Sequence, residues 1–131
     1  MHPFRAAVEA GDHDAIPSLL AEHVTFLSPV AFAPYEGRDL VAAILRGALR
    51  AFQGIHYVRE IANPDGRDAA LMFKAEVGGR EVHGCDFLRL DAAGLIVEFC
   101  VMVRPLSAAR AVAEEMAKQF EIVKRELGLP A

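Results

Sequence analysis

The second half of the chain carries four apolar runs of strand length, and only short turns separate them. The runs cover residues 55–61, 69–77, 80–90 and 95–103. Between them stand Asn63-Pro64-Asp65-Gly66, Gly78-Gly79 and Asp91-Ala92-Ala93-Gly94, residue types that favour tight turns. Strands joined by short turns pair with their sequence neighbours, so this pattern predicts an antiparallel meander.

Helical periodicity flanks the meander on both sides. Apolar stripes predict two short helices within the first 20 residues and a third over residues 38–52. A short strand at 23–27 and a proline-containing loop at 29–37 precede the third helix, and a last helix runs from Ser107 to Gly128. Helices, one curved antiparallel sheet and a closing helix predict a single α+β domain over residues 1–131.

Composition narrows the classes of function. The net charge of −4 and the scattered basic residues argue against nucleic acid as a partner. We expect no membrane contact, because no apolar stretch reaches about 18 residues. Without a signal peptide the expected location is the cytoplasm. No metal-ligand spacing and no nucleotide fingerprint occur, so neither a metal nor a cofactor is expected. The hydrophobic content of 53% favours an apolar pocket or a subunit interface, although alanine supplies part of it.

Alternation along the last predicted hairpin places one carboxylate on an otherwise apolar face. If Asp91 lies opposite Gly94, that face holds Val82, Gly84, Asp86, Leu88, Leu90, Leu95, Val97, Phe99, Val101 and Val103. An isolated buried aspartate is unfavourable when ionised, so its pKa should rise until the protonated acid donates a hydrogen bond. The alternative is a structural carboxylate that is paired with an arginine or a backbone amide.

The same register places Cys85 opposite Cys100. In a reducing cytosol we expect two packed thiols rather than a disulfide. A bulge at Gly94 would shift the partner strand by one residue.

Several short motifs together resemble a known superfamily. They are Ala10-Gly11-Asp12, Ser28-Pro29-Val30, Tyr35-Glu36-Gly37-Arg38, Gly84-Cys85-Asp86 and the stretch from Asp91-Ala92-Ala93-Gly94 to Arg104-Pro105. In this order and spacing they resemble the nuclear transport factor 2-like superfamily, in particular its SnoaL-like and ketosteroid-isomerase-like branch. The resemblance implies a conical α+β sandwich whose helices pack into the concave side of the sheet and leave a cavity. It also implies a homodimer formed through the outer face of the sheet.

The ketosteroid isomerase pattern is matched only in part. That enzyme uses a general-base Asp and an oxyanion hole made of a Tyr and a protonated Asp. The resemblance aligns the protonated acid with Asp86, but Ser28 stands at the base position and Phe4 at the tyrosine position. Serine cannot shuttle a proton as a carboxylate does at neutral pH, so that mechanism is not expected here.

The predicted site is an apolar chamber with one acid. Asp86 is the candidate acid, and Tyr57 or Tyr35 would assist it. The candidate ligand-binding residues are Phe4, Phe26, Ser28, Phe32, Tyr35, Tyr57, Phe73, Asp86, Phe99, Val101 and Val103. For each aromatic residue among them, ordinary core packing is the alternative.

Three functions stay open from the sequence. The first is a non-catalytic binder of a small hydrophobic molecule. The second is a cofactor-independent isomerase, cyclase or dehydratase with Asp86 as buried general acid, which needs a cavity of a few hundred cubic ångströms. The third is a protein-binding adaptor, which needs an exposed apolar patch on a stable monomer.

Overall fold

The computed structural model describes residues 1–130. The helices are Pro3–Glu9 (α1), Ile16–Leu19 (α2), Arg38–Ala51 (α3) and Leu106–Glu126 (α4), with a 3-10 turn at His13–Ala15. The strands are Leu20–Leu27 (β1), Tyr35–Glu36 (β2), Gln53–Ala62 (β3), Asp68–Val77 (β4), Arg80–Leu90 (β5) and Ile96–Arg104 (β6). In this described part of the chain, no helix combines the length and the apolar character needed to cross a bilayer.

All six strands form one sheet in the order β2-β1-β6-β5-β4-β3. The meander from β3 to β6 is antiparallel throughout. Strand β1 runs parallel to β6, so the sheet is mixed rather than wholly antiparallel. The predicted α+β class is confirmed.

Strand β1 begins three residues earlier than the sequence pattern indicated. Leu20 has the spacing of a helical stripe, yet it is extended at the end of α2 and pairs with Ile96. Both side chains are fully buried. Burial against β6 therefore outweighs the weak local preference for helix.

The long helices and α1 cover one face of the sheet. Helix α3 contacts β1, α4 contacts β5 and β6, and α1 contacts β3. The core between these layers includes Phe73 and Phe99, which are 2% and 1% exposed. Within residues 1–130 no helix covers the outer face, where large apolar side chains are partly exposed: Val58, Met72, Phe87 and Met102.

The last hairpin pairs two residues further along than the predicted register. Asp91 closes the turn on Leu95 rather than Gly94, with a hydrogen bond of 2.8 Å from its amide to the Leu95 carbonyl. An irregularity between Arg89 and Leu90 adds one more residue on β6, so Asp86 lies opposite Val101 instead of Phe99. Because the total shift is two residues, the pocket-facing set near Asp86 keeps its face.

Two details of the predicted hairpin are wrong. Cys85 lies opposite Met102, not Cys100. Both cysteines are nevertheless free thiols, as expected. Near the turn the irregularity reverses the faces, so Ile96 is the fully buried residue there while Leu95 and Val97 are only half-buried.

Candidate functional site

Asp86 lies in the interior of the sheet, on the face covered by the helices. Its strand β5 has a neighbour on each side, with Leu71 of β4 and Val101 of β6 directly opposite. The residue is 5% exposed and is the one buried polar or charged residue in the described part of the chain. The Tyr57 hydroxyl donates a hydrogen bond of 2.9 Å to its Oδ2 atom.

This environment sets the protonation of both groups. Burial raises the pKa of Asp86 to about 7, and the hydrogen bond from Tyr57 lowers it by a smaller amount. Burial and the neighbouring Asp86 raise the pKa of Tyr57 far above its usual value, so its hydroxyl keeps its proton. Near neutral pH, Asp86 can therefore be a proton donor or an acceptor, whereas Tyr57 stays a donor.

Helix α1 holds Tyr57 in place. Strand β3 is an edge strand, and its pairing with β4 is irregular on both sides of Tyr57. The Tyr57 amide donates to Glu9 Oε2 at 3.4 Å, and Arg5 donates to the Tyr57 carbonyl at 3.5 Å. Arg5 and Glu9 also pair with each other at 3.2 Å. These side chains provide hydrogen-bond partners for backbone groups of an edge strand that would otherwise bond only to water.

A cavity of about 70 Å³ lies next to this pair. Six of the eight phenylalanines and both tyrosines line it. Most lining residues are buried, while Val30, on the loop before β2, is 39% exposed and marks the mouth. The cavity is smaller than the few hundred cubic ångströms expected for an enzyme of this kind.

Two sets of aromatic rings form the cavity walls. In the first set, neighbouring ring centroids are 4.9 to 6.5 Å apart: Phe4, Phe99, Phe26, Tyr35 and Phe120. In the second set they are 5.6 to 6.0 Å apart: Phe52, Phe73 and Tyr57. Both ranges are typical of interacting aromatic pairs, so the walls are mutually supported.

The cavity brings together most of the residues that the sequence marked. Those that line it are Phe4, Phe26, Ser28, Tyr35, Tyr57, Phe73, Asp86, Phe99 and Val101. Two marked residues do not. Phe32 is fully exposed on a loop without regular structure. Val103 is half-buried on β6 opposite Gly84, beyond the end of the cavity.

The positions where ketosteroid isomerase has its base and its tyrosine carry no acid–base group here. Ser28 Oγ accepts hydrogen bonds from the amides of Val30 and Ala31 at 3.1 and 3.3 Å, and so caps the loop. Phe4 packs edge-on against Phe99. Within residues 1–130, Asp86 is the one carboxyl group that lines the cavity, and no three metal-ligating side chains cluster together.

The sequence left several lining residues unmarked. They lie on α3 and α4 and include Leu45, Ala48, Leu49, Val112, Met116 and Phe120. Helical periodicity identifies the buried stripe of each helix, but which part of a stripe borders a void depends on how the layers pack. Arg5 and Glu9 were also missed, although their spacing of four is the usual signal for a helical ion pair.

Comparison with known proteins identifies the class. The model of the SnoaL-like domain family matches residues 2–99. The chain therefore belongs to the SnoaL-like family, as its motifs indicated. No curated protein matches it.

Solved structures agree with this assignment. A structure described as a steroid delta-isomerase from Pseudomonas aeruginosa is 40% identical, covering 90% of this chain and 86% of that one, with a TM-score of 0.86. A protein with a cystatin-like fold from Silicibacter pomeroyi is 34% identical, covering 98% and 92%, with a TM-score of 0.88. The epoxide hydrolase/cyclase-like enzyme SalBIII, which has a role in forming the pyran ring of salinomycin, is 25% identical, covering 77% and 84%, with a TM-score of 0.64.

Proposed function

We propose that this protein binds a small, neutral, hydrophobic molecule that carries a hydrogen-bond acceptor. The observation that carries the proposal is the Asp86–Tyr57 pair on the wall of an aromatic cavity. A carboxyl group in such a place lowers the stability of the fold, because burial penalises its charged form. A role in binding a ligand accounts for its presence there. Apolar pockets with a few convergent polar groups are the usual form of small-molecule sites.

The hydrogen-bonding capacity of the pair favours an acceptor on the ligand. Tyr57 occupies Oδ2, and Oδ1 makes no hydrogen bond to the described protein. When Asp86 is protonated, its O–H can donate to a carbonyl or ether oxygen of the ligand. The lining holds no Lys, Arg or His within residues 1–130, so an anionic ligand would have no counter-charge.

Acetophenone and isopropylbenzene form a matched pair of probes, because they have similar shape and only the ketone has an acceptor. Binding would be measured by NMR shift titration at pH 6 and pH 8.5. Since protonated Asp86 is the competent form, we expect acetophenone to bind roughly tenfold or more weakly at pH 8.5. Isopropylbenzene should bind with no pH dependence.

Asp86→Asn is the matched control, because its amide still donates to the ketone and accepts from Tyr57 but does not titrate. It should bind acetophenone equally at both pH values. The proposal fails if neither probe binds in the cavity, or if acetophenone shows the same affinity for the wild-type protein at both pH values.

A second candidate is a cofactor-independent isomerase, cyclase or dehydratase in which Asp86 is the general acid. The raised pKa of Asp86 supports it, as does likeness to structures described as a steroid delta-isomerase and as an epoxide hydrolase/cyclase-like enzyme. The small cavity favours the binder, as does the lack of a second lining carboxyl group within the described residues. An enzyme would lose turnover of its substrate in Asp86→Asn but keep affinity, whereas unchanged turnover would exclude Asp86 as the acid.

We also propose a homodimer in the cytoplasm. The exposed apolar side chains of the outer sheet face, including Phe87 and Met102, suit a contact between two copies. Two free thiols suit a reducing compartment, which cell fractionation would test. Sedimentation velocity should show a dimer that Met102→Arg converts to a monomer. A wild-type monomer would instead favour the adaptor, with this face as its docking surface.

A further inference from the structure

The far end of the Phe73 ring lies against the glycine of the neighbouring strand. Gly84 is directly opposite Phe73 in the antiparallel pair of β4 and β5. A Cβ atom added at Gly84 would overlap the ring of Phe73, and the overlapped atoms lie at the far end of that ring. The ring therefore rests on the backbone of β5, in space that every other residue type would fill.

The position of this ring matters because it borders the polar end of the cavity. Gly84 precedes Asp86 by two residues and so shares its face of β5. The Phe73 ring centroid is 6.0 Å from that of Tyr57, whose hydroxyl bonds to Asp86. The Phe73 ring centroid is also 5.6 Å from that of Phe52, which lies between α3 and β3. Phe73 thus occupies the volume beside the acid into which a ligand could otherwise extend.

The remaining space is small. An apolar cavity of about 150 Å³ is known to hold benzene, and pockets for drug-sized molecules measure about 300–1,000 Å³. The cavity here is about 70 Å³, less than half of the space known to hold benzene, so even a single ring must extend towards the mouth. A fused ring system would overlap the aromatic walls.

From this geometry we propose that the site selects ligands with a single ring, and that Phe73, resting on Gly84, is the residue that sets this limit. The inference rests on the proposed function and gives it a ligand class: a monocyclic, neutral compound with one acceptor directed at Asp86. Gly84 is a positioning residue, because it acts through Phe73. Any side chain at position 84 would push the ring into the cavity.

The test compares acetophenone with 2-acetylnaphthalene, which carries the same ketone on two fused rings. Affinities would be measured by NMR shift titration at pH 6. We expect the wild-type protein to bind acetophenone at least tenfold more tightly. In Phe73→Ala the preference should reverse, because the affinity for the two-ring ketone should rise at least tenfold. In Gly84→Ala the displaced Phe73 ring should lower the affinity for acetophenone at least tenfold.

Val82→Ala is the matched control, because Val82 is a fully buried residue on the same strand and face but does not line the cavity. It should lower stability without changing the ratio of the two affinities. If Phe73→Ala does not fold, Phe73→Leu gives a smaller change in the same direction.

The outcomes separate the two proposals. If the wild-type protein binds neither ketone, the proposed function fails and the size limit fails with it. If acetophenone binds but the naphthyl ketone binds equally well, only the size limit is overturned. An unchanged ratio in folded Phe73→Ala or Phe73→Leu would also overturn it.

Discussion

The two faces of the sheet come from the same strands but treat polar groups in opposite ways. On the outer face, charged residues such as Asp68 and Arg89 pair while 55% and 64% exposed. On the inner face, Asp86 is 5% exposed and has one hydrogen-bond partner, Tyr57, within residues 1–130. The outer charges stay solvated, whereas burial favours the neutral form of the inner one.

The difference shows where physical chemistry marks a functional site. An outer-face salt bridge contributes little because water screens it and its side chains lose entropy. The inner carboxyl group, in contrast, has a pKa raised by burial, and it raises the pKa of its tyrosine partner. It also borders a cavity rather than packed atoms. The experiments below test this contrast, beginning with the largest expected effect.

Removing an inner ring should be far more destabilising than removing an outer one. Phe99→Ala deletes a ring that is 1% exposed, and we expect a loss of about 3–5 kcal/mol in the free energy of unfolding. Phe87→Ala deletes a ring that is 43% exposed, and it should lose about 1 kcal/mol or less in the monomer. Urea denaturation measures both. Any additional loss for Phe87→Ala should vary with protein concentration, because it would come from the dimer contact.

The buried carboxyl group should make stability depend on pH. The unfolded chain ionises Asp86 around its ordinary pKa of 3.8, while the folded protein keeps the proton until about pH 7. Between these values the folded state binds more protons, so this group lowers stability as pH rises through the window.

Asp86→Asn should abolish that fall, which by pH 8 amounts to roughly 4 kcal/mol in the wild-type protein. Identical profiles for wild type and Asp86→Asn would show that Asp86 is solvated.

Removing the tyrosine hydroxyl should have a moderate effect. Tyr57→Phe leaves Asp86 without its donor, and we expect a loss of about 1–2 kcal/mol at pH 6. Because that hydrogen bond lowers the pKa of Asp86, the variant should also raise it. Tyr35→Phe is the control, since Tyr35 lines the same cavity but makes no hydrogen bond to Asp86. Equal losses in the two variants would argue against a special role for the Tyr57 bond.

Breaking an outer-face ion pair should have the smallest effect. Arg89→Gln removes the 3.3 Å contact with Asp68, and we expect a change below about 0.5 kcal/mol. Thermal unfolding at low and high salt would measure it. A loss comparable to that of Tyr57→Phe would mean that the two faces do not differ as described.

Most of the fold was accessible from the sequence because its signals are local. Turn residues fixed the meander, and alternation assigned Asp86 to the apolar face even though the register was wrong by two residues. The parallel pairing of β1 with β6 was not accessible, since it depends on two segments about 75 residues apart in the chain.

The site was accessible only in part. Aromatic residues at strand positions were marked as lining, and most of them do line the cavity. The prediction that Phe32 lines the site was wrong, because the sequence around a loop residue has no periodicity that indicates whether its side chain is buried. The role of Gly84 could not be foreseen, because it depends on where the ring of Phe73 lies.

The central claim, a protonatable acid inside an aromatic cavity, is tested most directly by titrating the Asp86 carboxyl carbon by NMR. Asp86→Asn would identify the resonance by its disappearance. We expect a midpoint near pH 7, with a shift to higher pH when acetophenone binds. A midpoint near pH 4 that acetophenone does not move would contradict the account.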